Sequence, residues 1–163
     1  MTQVKEDWVR PFCDLEAERE VIGTILTHGL ECFFTLKKLM TCDDLHSYVH
    51  QRMWQAFEDL QHRRQRINMQ SCADAMTRLG TLGLLNHHGG LDYFGQLLDS
   101  EVGVLSAAYA AARIKEHWCR RKIILRTDWL LARAIDPGIS LEELYLMVSR
   151  LALDCVPSPG GKQ

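Results

Sequence analysis

From Leu105 to Ala134 the chain contains neither glycine nor proline. A run of that length is enough for about eight turns of α-helix. Ala107, Ala111, Ile114, Trp118, Leu125, Trp129 and Ala132 recur within it at close to the helical period. Asp136-Pro137-Gly138 then turns the chain. Ser140 to Glu143, "SLEE", has the form of a capping box. Behind it Leu141, Leu144, Val148, Leu151 and Cys155 make a second apolar stripe, which Pro157 ends. The pattern predicts an αα-hairpin, with one helix of about 30 residues, or two in series, against one of about 15. Such a hairpin cannot bury both of its faces. Its surplus apolar surface must meet the rest of the chain or another copy of it. Trp118 and Trp129 are the expected anchors, because large aromatics dominate interface energetics.

The preceding residues also read as helix. Asp14 is a good N-cap, with Glu16 and Glu18 in the first turn where the helix dipole favours them. Leu15, Ile22, Ile25, Leu26 and Gly29 then trace one face. A short helix over about Glu31 to Met40 buries Phe33, Leu36 and Leu39 or Met40. Another, from about Ser47 to His62, carries Val49, Met53, Phe57 and Leu60 on one stripe. Asn68 caps a fourth, with Cys72, Met76 and Leu79 inward and Gly80 as its stop. The fifth starts at Gly89-Gly90 and carries Tyr93, Phe94, Leu97 and Leu98. No run rich in β-branched residues alternates with period two, so a sheet has no support. The expected fold is all-α, a compact helical head followed by a long αα-hairpin. Its boundaries are a flexible arm over 1–11, a head over 12–103, a hairpin over 104–156 and a flexible tail over 157–163.

Charge and motifs narrow the chemistry. A net charge of −2 makes the molecule as a whole no electrostatic magnet for nucleic acid. The N-terminus is charged, with no apolar run for a signal peptide or membrane span, and the six cysteines form no CxxC pair. Reduced thiols, a cytoplasmic setting and no membrane contact are expected. No phosphate-binding loop is present, since Gly161-Lys162 lacks the spacing, the hydroxyl and the following helix. No GxSxG or HExxH occurs. Cys42, His46 and His50 stand at i, i+4 and i+8, the spacing of zinc ligands on one helical face. Asp43, Asp44 and Ser47 read as local caps that interrupt such a helix, so His50 is better read as a hydrogen-bonded histidine at the core edge. No catalytic, metal or cofactor residue is therefore expected. Two basic clusters remain: "HRRQR" from His62 to Arg66, and Arg113, Lys115, Arg120, Arg121, Lys122 and Arg126 on the long helix. They read as dipole compensation and a solvated face, or as a small DNA-binding regulator's surface.

The order of four segments resembles the N-terminal domain of the DnaB family of bacterial replicative helicases. They are "DLEAEREVIGTIL", "DDLHSYVHQRMWQAFEDL", "INMQSCADAMTRLGTLGLLNHHGGLDYFGQLL" and "YAAARIKEHWCRRKII". The matching positions include Glu16-Ala17-Glu18, Gly23, Asp44-Leu45, His50, Trp54, Ile67, Gly89-Gly90, Tyr93-Phe94, Tyr109-Ala110, Ile114 and Arg121. Leu45 replaces the family's usual aromatic, and Asn68 its usual aspartate. The resemblance covers about residues 12 to 156 and makes His87-His88 a variable turn before the glycine pair. It implies a collar domain that self-associates through hairpins, as a dimer or hexamer, and docks primase or a helicase loader during DNA replication. The family's RecA-like ATPase domain has no counterpart in these 163 residues, so hydrolysis and unwinding are not expected of this chain by itself. Ile114, Trp118, Leu125, Trp129, Leu144 and Val148 are the candidates for hairpin packing or the oligomer interface. Arg120, Arg121 and Glu143 are the candidates for partner docking, as exposed residues. DNA contact is possible but secondary.

Overall fold

The computed structural model describes residues 6–155, and among them there is no strand. The helices are α1 (Glu6–Val9), α2 (Leu15–Leu36), α3 (Tyr48–His62), α4 (Met69–Arg78), α5 (Asp92–Asp99), α6 (Val104–Ala134) and α7 (Leu141–Cys155). Short 3-10 turns cover Arg10–Phe12, Cys42–Asp44 and Leu82–His88. Residues 1–5, the expected tail 157–163, Pro157 within it and the side chain of Cys155 lie outside the described residues.

Local chemistry places the helix ends. The Asp14 carboxylate accepts the Ala17 amide proton at 3.0 Å and starts α2. Asn68 and Ser71 cap α4 reciprocally, each side chain accepting the other's backbone N–H at 2.9 and 3.0 Å. Inside α2, Gly29 takes φ 72° and ψ −148°, which divides it into the two helical stretches that the apolar pattern shows.

The described residues form two compact units, one of Asp14–Lys115, the other of 116–155 together with 6–13. In the first unit α2 supplies Val21, Ile22, Ile25 and Phe33, and α3 supplies Met53, Trp54, Phe57 and Leu60. Phe33 meets Trp54 and Phe57 edge-on at centroid distances of 5.0 and 5.8 Å, a favoured aromatic geometry. Cys72 and Met76 of α4 and Phe94 and Leu97 of α5 complete that core. Ala107, Ala110, Ala111 and Ile114, the first third of α6, belong to it as well. The head thus ends at Lys115 rather than at 103, because small residues there let the helix backbone pack against the core. Within the expected arm lie α1 and the start of the Arg10–Phe12 turn, which fall with the second unit.

Two leucines of the head assigned to inner stripes are exposed instead: Leu15 sits at the first turn of α2, and Leu79 is the C-cap of α4. Of the pair Leu39 or Met40, Met40 is the buried one. Terminal residues leave the helical phase on which a stripe depends.

Gly23 is where α2 and α5 approach most tightly. A Cβ there would lie 1.9 Å from the Leu97 carbonyl oxygen, so the backbone would have to move. Gly23→Ala is expected to destabilise the fold by about 2 kcal/mol or more, through overpacking, read as a lower urea midpoint with an unchanged slope.

Candidate functional site

The most polar cluster in the head joins residues far apart in sequence. Glu18 of α2 is 1 % exposed, as is His50 of α3. The Glu18 carboxylate accepts the backbone N–H groups of His46 and of Ser47, the latter at 3.1 Å. It also takes the Nδ1 proton of His50 at 2.7 Å. A carboxylate only accepts here, so Nδ1 carries the proton, and Nε2 shares the Tyr93 hydroxyl at 2.7 Å. The His88 ring lies 4.8 Å from that of Tyr93. Burial holds the Tyr93 phenol above its ordinary range. With Glu18 and His50 sealed from solvent, the arrangement is a latch joining α2, α3 and α5.

The Cys42, His46 and His50 triple does not converge. Cys42 is in a 3-10 turn and donates through Sγ to the Gln51 carbonyl at 3.3 Å. His46 precedes α3 and is exposed, and both His50 ring nitrogens are engaged. Among the described residues no three His, Cys, Asp or Glu side chains are placed to hold a metal ion. His87 and His88 are exposed at the end of the Leu82–His88 turn, followed by Gly89 and Gly90 at φ 95° and 72°.

In the second unit α6 and α7 bring part of the expected set together. Trp118 is half-buried, with the Lys122 ammonium 4.7 Å from its ring. Leu125, Trp129 and Val148 are exposed, and Leu144 is half-buried. Arg126, Trp129 and Leu130 of α6 face Met147, Arg150 and Leu151 of α7 across a cleft of 330 Å³. Ile114 does not join this face. It is 2 % exposed in the core of the head, at the last point where α6 packs there. Arg121 is not the exposed docking residue expected either. It is 7 % exposed and its guanidinium donates to the Phe12 carbonyl oxygen. Arg120 is exposed, held by Glu116 at 2.7 Å and lying over the Phe12 ring at 5.5 Å. Glu143 is exposed, and its carboxylate caps α7 by accepting the Ser140 amide proton at 3.0 Å.

Leu141 of the second stripe is exposed, and so are Leu131, Ile135, Tyr145, Leu146 and Leu153, Tyr145 at 69 % and Leu153 at 76 %. The stripe reading missed the last five by following one face of each helix. The available signal was "LEELYLMVSRLAL", which carries apolar residues around most of its circumference.

This fold is that of an all-helical head-and-hairpin domain. The family model described as "DnaB-like helicase N terminal domain" matches residues 10–116, and the chain belongs to that family. The fold is similar to the crystal structure of the N-terminal domain of DnaB helicase from Mycobacterium tuberculosis, with a TM-score of 0.75 and 22 % identity. That alignment covers 86 % of this chain and 96 % of the other. A DnaB-like replicative helicase, described by its structure and its interactions with primase, aligns with a TM-score of 0.66 and 21 % identity. There 90 % of this chain is covered, but only 33 % of the helicase. Comparison with curated proteins finds no match. Among the described residues no helix is long and apolar enough to cross a membrane.

Glu18→Ala is expected to cost about 3 kcal/mol, because it strands two amides and an imidazole in the interior. Tyr93→Phe, which removes one hydroxyl, is expected to cost about 1 kcal/mol. Chemical denaturation of the two variants gives the ratio.

Proposed function

We propose that this chain is a protein–protein module of the replicative-helicase type. It associates with copies of itself, as a dimer or hexamer, through the hairpin, and docks primase or a loader in the cytoplasm, using no cofactor and no catalytic residue. One observation carries the reading: Leu125, Trp129, Leu131, Tyr145, Leu146 and Val148 are all exposed on the second unit. Apolar surface on this scale marks an association site, and identical copies cover such a face most simply by two-fold pairing. Trp118, half-buried, and Leu144 support the packing of that face rather than form its outermost layer. Arg120 and Glu143 stay as rim positions for a partner. The primase contact of the structurally similar helicase makes primase the first partner to test.

The alternative, a small DNA-binding regulator using the basic clusters, has less support on the long helix. Arg113 pairs with Asp14 at 2.7 Å, Lys115 with Asp44 at 2.9 Å and Arg120 with Glu116 at 2.7 Å. These cations are neutralised within the chain, which weakens an electrostatic footprint for DNA on this helix.

Light scattering on a sizing column, with and without the C-terminal domain of the cognate primase, tests the proposal. The expected result is a dimer or hexamer that persists at about 0.5 M salt, because apolar area drives it, and gains mass with primase. Trp129→Glu combined with Val148→Glu should convert it to monomer without loss of helicity. A wild-type monomer that ignores primase contradicts the reading.

A further inference from the structure

The run from His62 to Arg66 takes no part in the head core or in the apolar face of the second unit. It ends α3 by a Schellman motif. The Arg64 amide bonds the Gln61 carbonyl at 3.0 Å, and the Gln65 amide bonds that of Leu60 at 2.9 Å. α4 ends the same way, with Gly80 and Thr81 bonding Thr77 and Met76 at 3.0 and 2.8 Å. The residue at the turn must be left-handed. In α4 it is glycine, with φ 69°, but in α3 it is Arg64, with φ 55°. Arg64 is the only non-glycine with positive φ among the described residues. A long cationic side chain thus occupies a position where glycine is favoured, and the local fold gains nothing from it.

The charges around it are unbalanced. Asp59 alone holds both Arg63 and Arg78, at 2.9 and 2.7 Å. Lys37 is paired with Glu58 at 3.1 Å. Arg64 and Arg66 are exposed, and neither is paired with a carboxylate among the described residues. Arg66 and Arg78 line a shallow polar cleft of 300 Å³ with Gln65, Asn68, Ser71 and Asp74. The Asp74 carboxylate in that lining accepts the Gln70 side-chain amide at 3.1 Å. Between His62 and Asn68 the one apolar side chain, Ile67, is buried. A protein partner would find no apolar centre to cover on this loop, whereas a polyanion requires none.

We propose that Arg64 and Arg66, backed by Arg63 and Arg78, bind the phosphodiester backbone of nucleic acid without reading its sequence. Guanidinium groups suit this, since each offers two parallel donors to a phosphate. No helix projects here to enter a groove and no exposed aromatic residue lies between His62 and Asn68 to stack on a base. The contact is therefore with backbone charge alone, on either single or double strands.

Fluorescence anisotropy of the full chain with a labelled single strand of about 30 nucleotides and a duplex of about 20 base pairs, at several salt concentrations, tests this. Binding should fall steeply as salt rises. Arg64→Ala with Arg66→Ala should weaken it at least fivefold at low salt. The variant's log–log salt slope should fall by about 1.4 on single strands or about 1.8 on duplex, as expected when two phosphates are no longer neutralised. Arg64→Gly separates binding from folding: it should weaken DNA binding while raising the thermal midpoint, because glycine relieves the left-handed position. The light-scattering mass of each variant should match that of the wild type, so failure here and failure of the self-association reading are distinguishable. Variants that bind DNA as the wild type does, or no wild-type binding at about 50 mM salt, would overturn the proposal. So would tighter binding of poly-glutamate than of DNA of equal charge, which would point to an acidic protein.

Discussion

The head depends on one buried carboxylate. Glu18 leaves water on a helix whose inner face is otherwise apolar but for Thr24, and it is tolerated because three donors meet it. Two of these are backbone amides at the entrance to α3, which fixes where that helix begins. The third is His50, whose far nitrogen reaches Tyr93 and so sets the rotation of α5 against α3. α5 in turn touches α2 at Gly23, where there is no room for a methyl group. Polar specificity and close packing therefore fix the same three helices. α6 is tied to the head by Lys115 on the fully buried Asp44 and by Arg113 on Asp14 and Glu20.

Those ties end where the first unit ends. Up to Lys115 the inner side of α6 is Ala107, Ala110, Ala111 and Ile114, all buried. Beyond it the apolar residues are larger, and many are exposed. One helix thus serves two environments. The closed core uses small residues that bring backbones together, whereas beyond Lys115 the helix exposes Ile123, Leu125, Trp129 and Leu131, the kind of residue the proposed self-association would cover.

The sequence made the helices legible because their signals are local. Asp14, Asn68 and the Ser140–Glu143 box each act within one turn at the helix start they suggested, while Ser47 stands at the start of α3 without a side-chain cap. The Gly29 break was legible for the same reason, since the apolar phase resets there. Partner identities between distant elements were not legible. Nothing near Glu18 announces that it will receive His50, 32 positions on. Arg121 reads as one of a row of solvated cations, yet it is buried on the Phe12 carbonyl, 109 positions away. Ile114 lies in register with the hairpin stripe, and only the boundary between the units shows that it belongs to the head. The exposed side of α7 was missed for the opposite reason: periodicity identifies an inner face and is silent about a second apolar face.

The central claim is that the second unit carries a surface meant to be covered by another copy, while the head is complete alone. Amide hydrogen exchange followed by mass spectrometry, at low and at high protein concentration, tests it most directly. The account predicts that exchange in residues 123–153 slows as concentration rises, while α3 and α5 exchange at the same rate throughout. Exchange independent of concentration in 123–153, or slowing confined to the head, would contradict it.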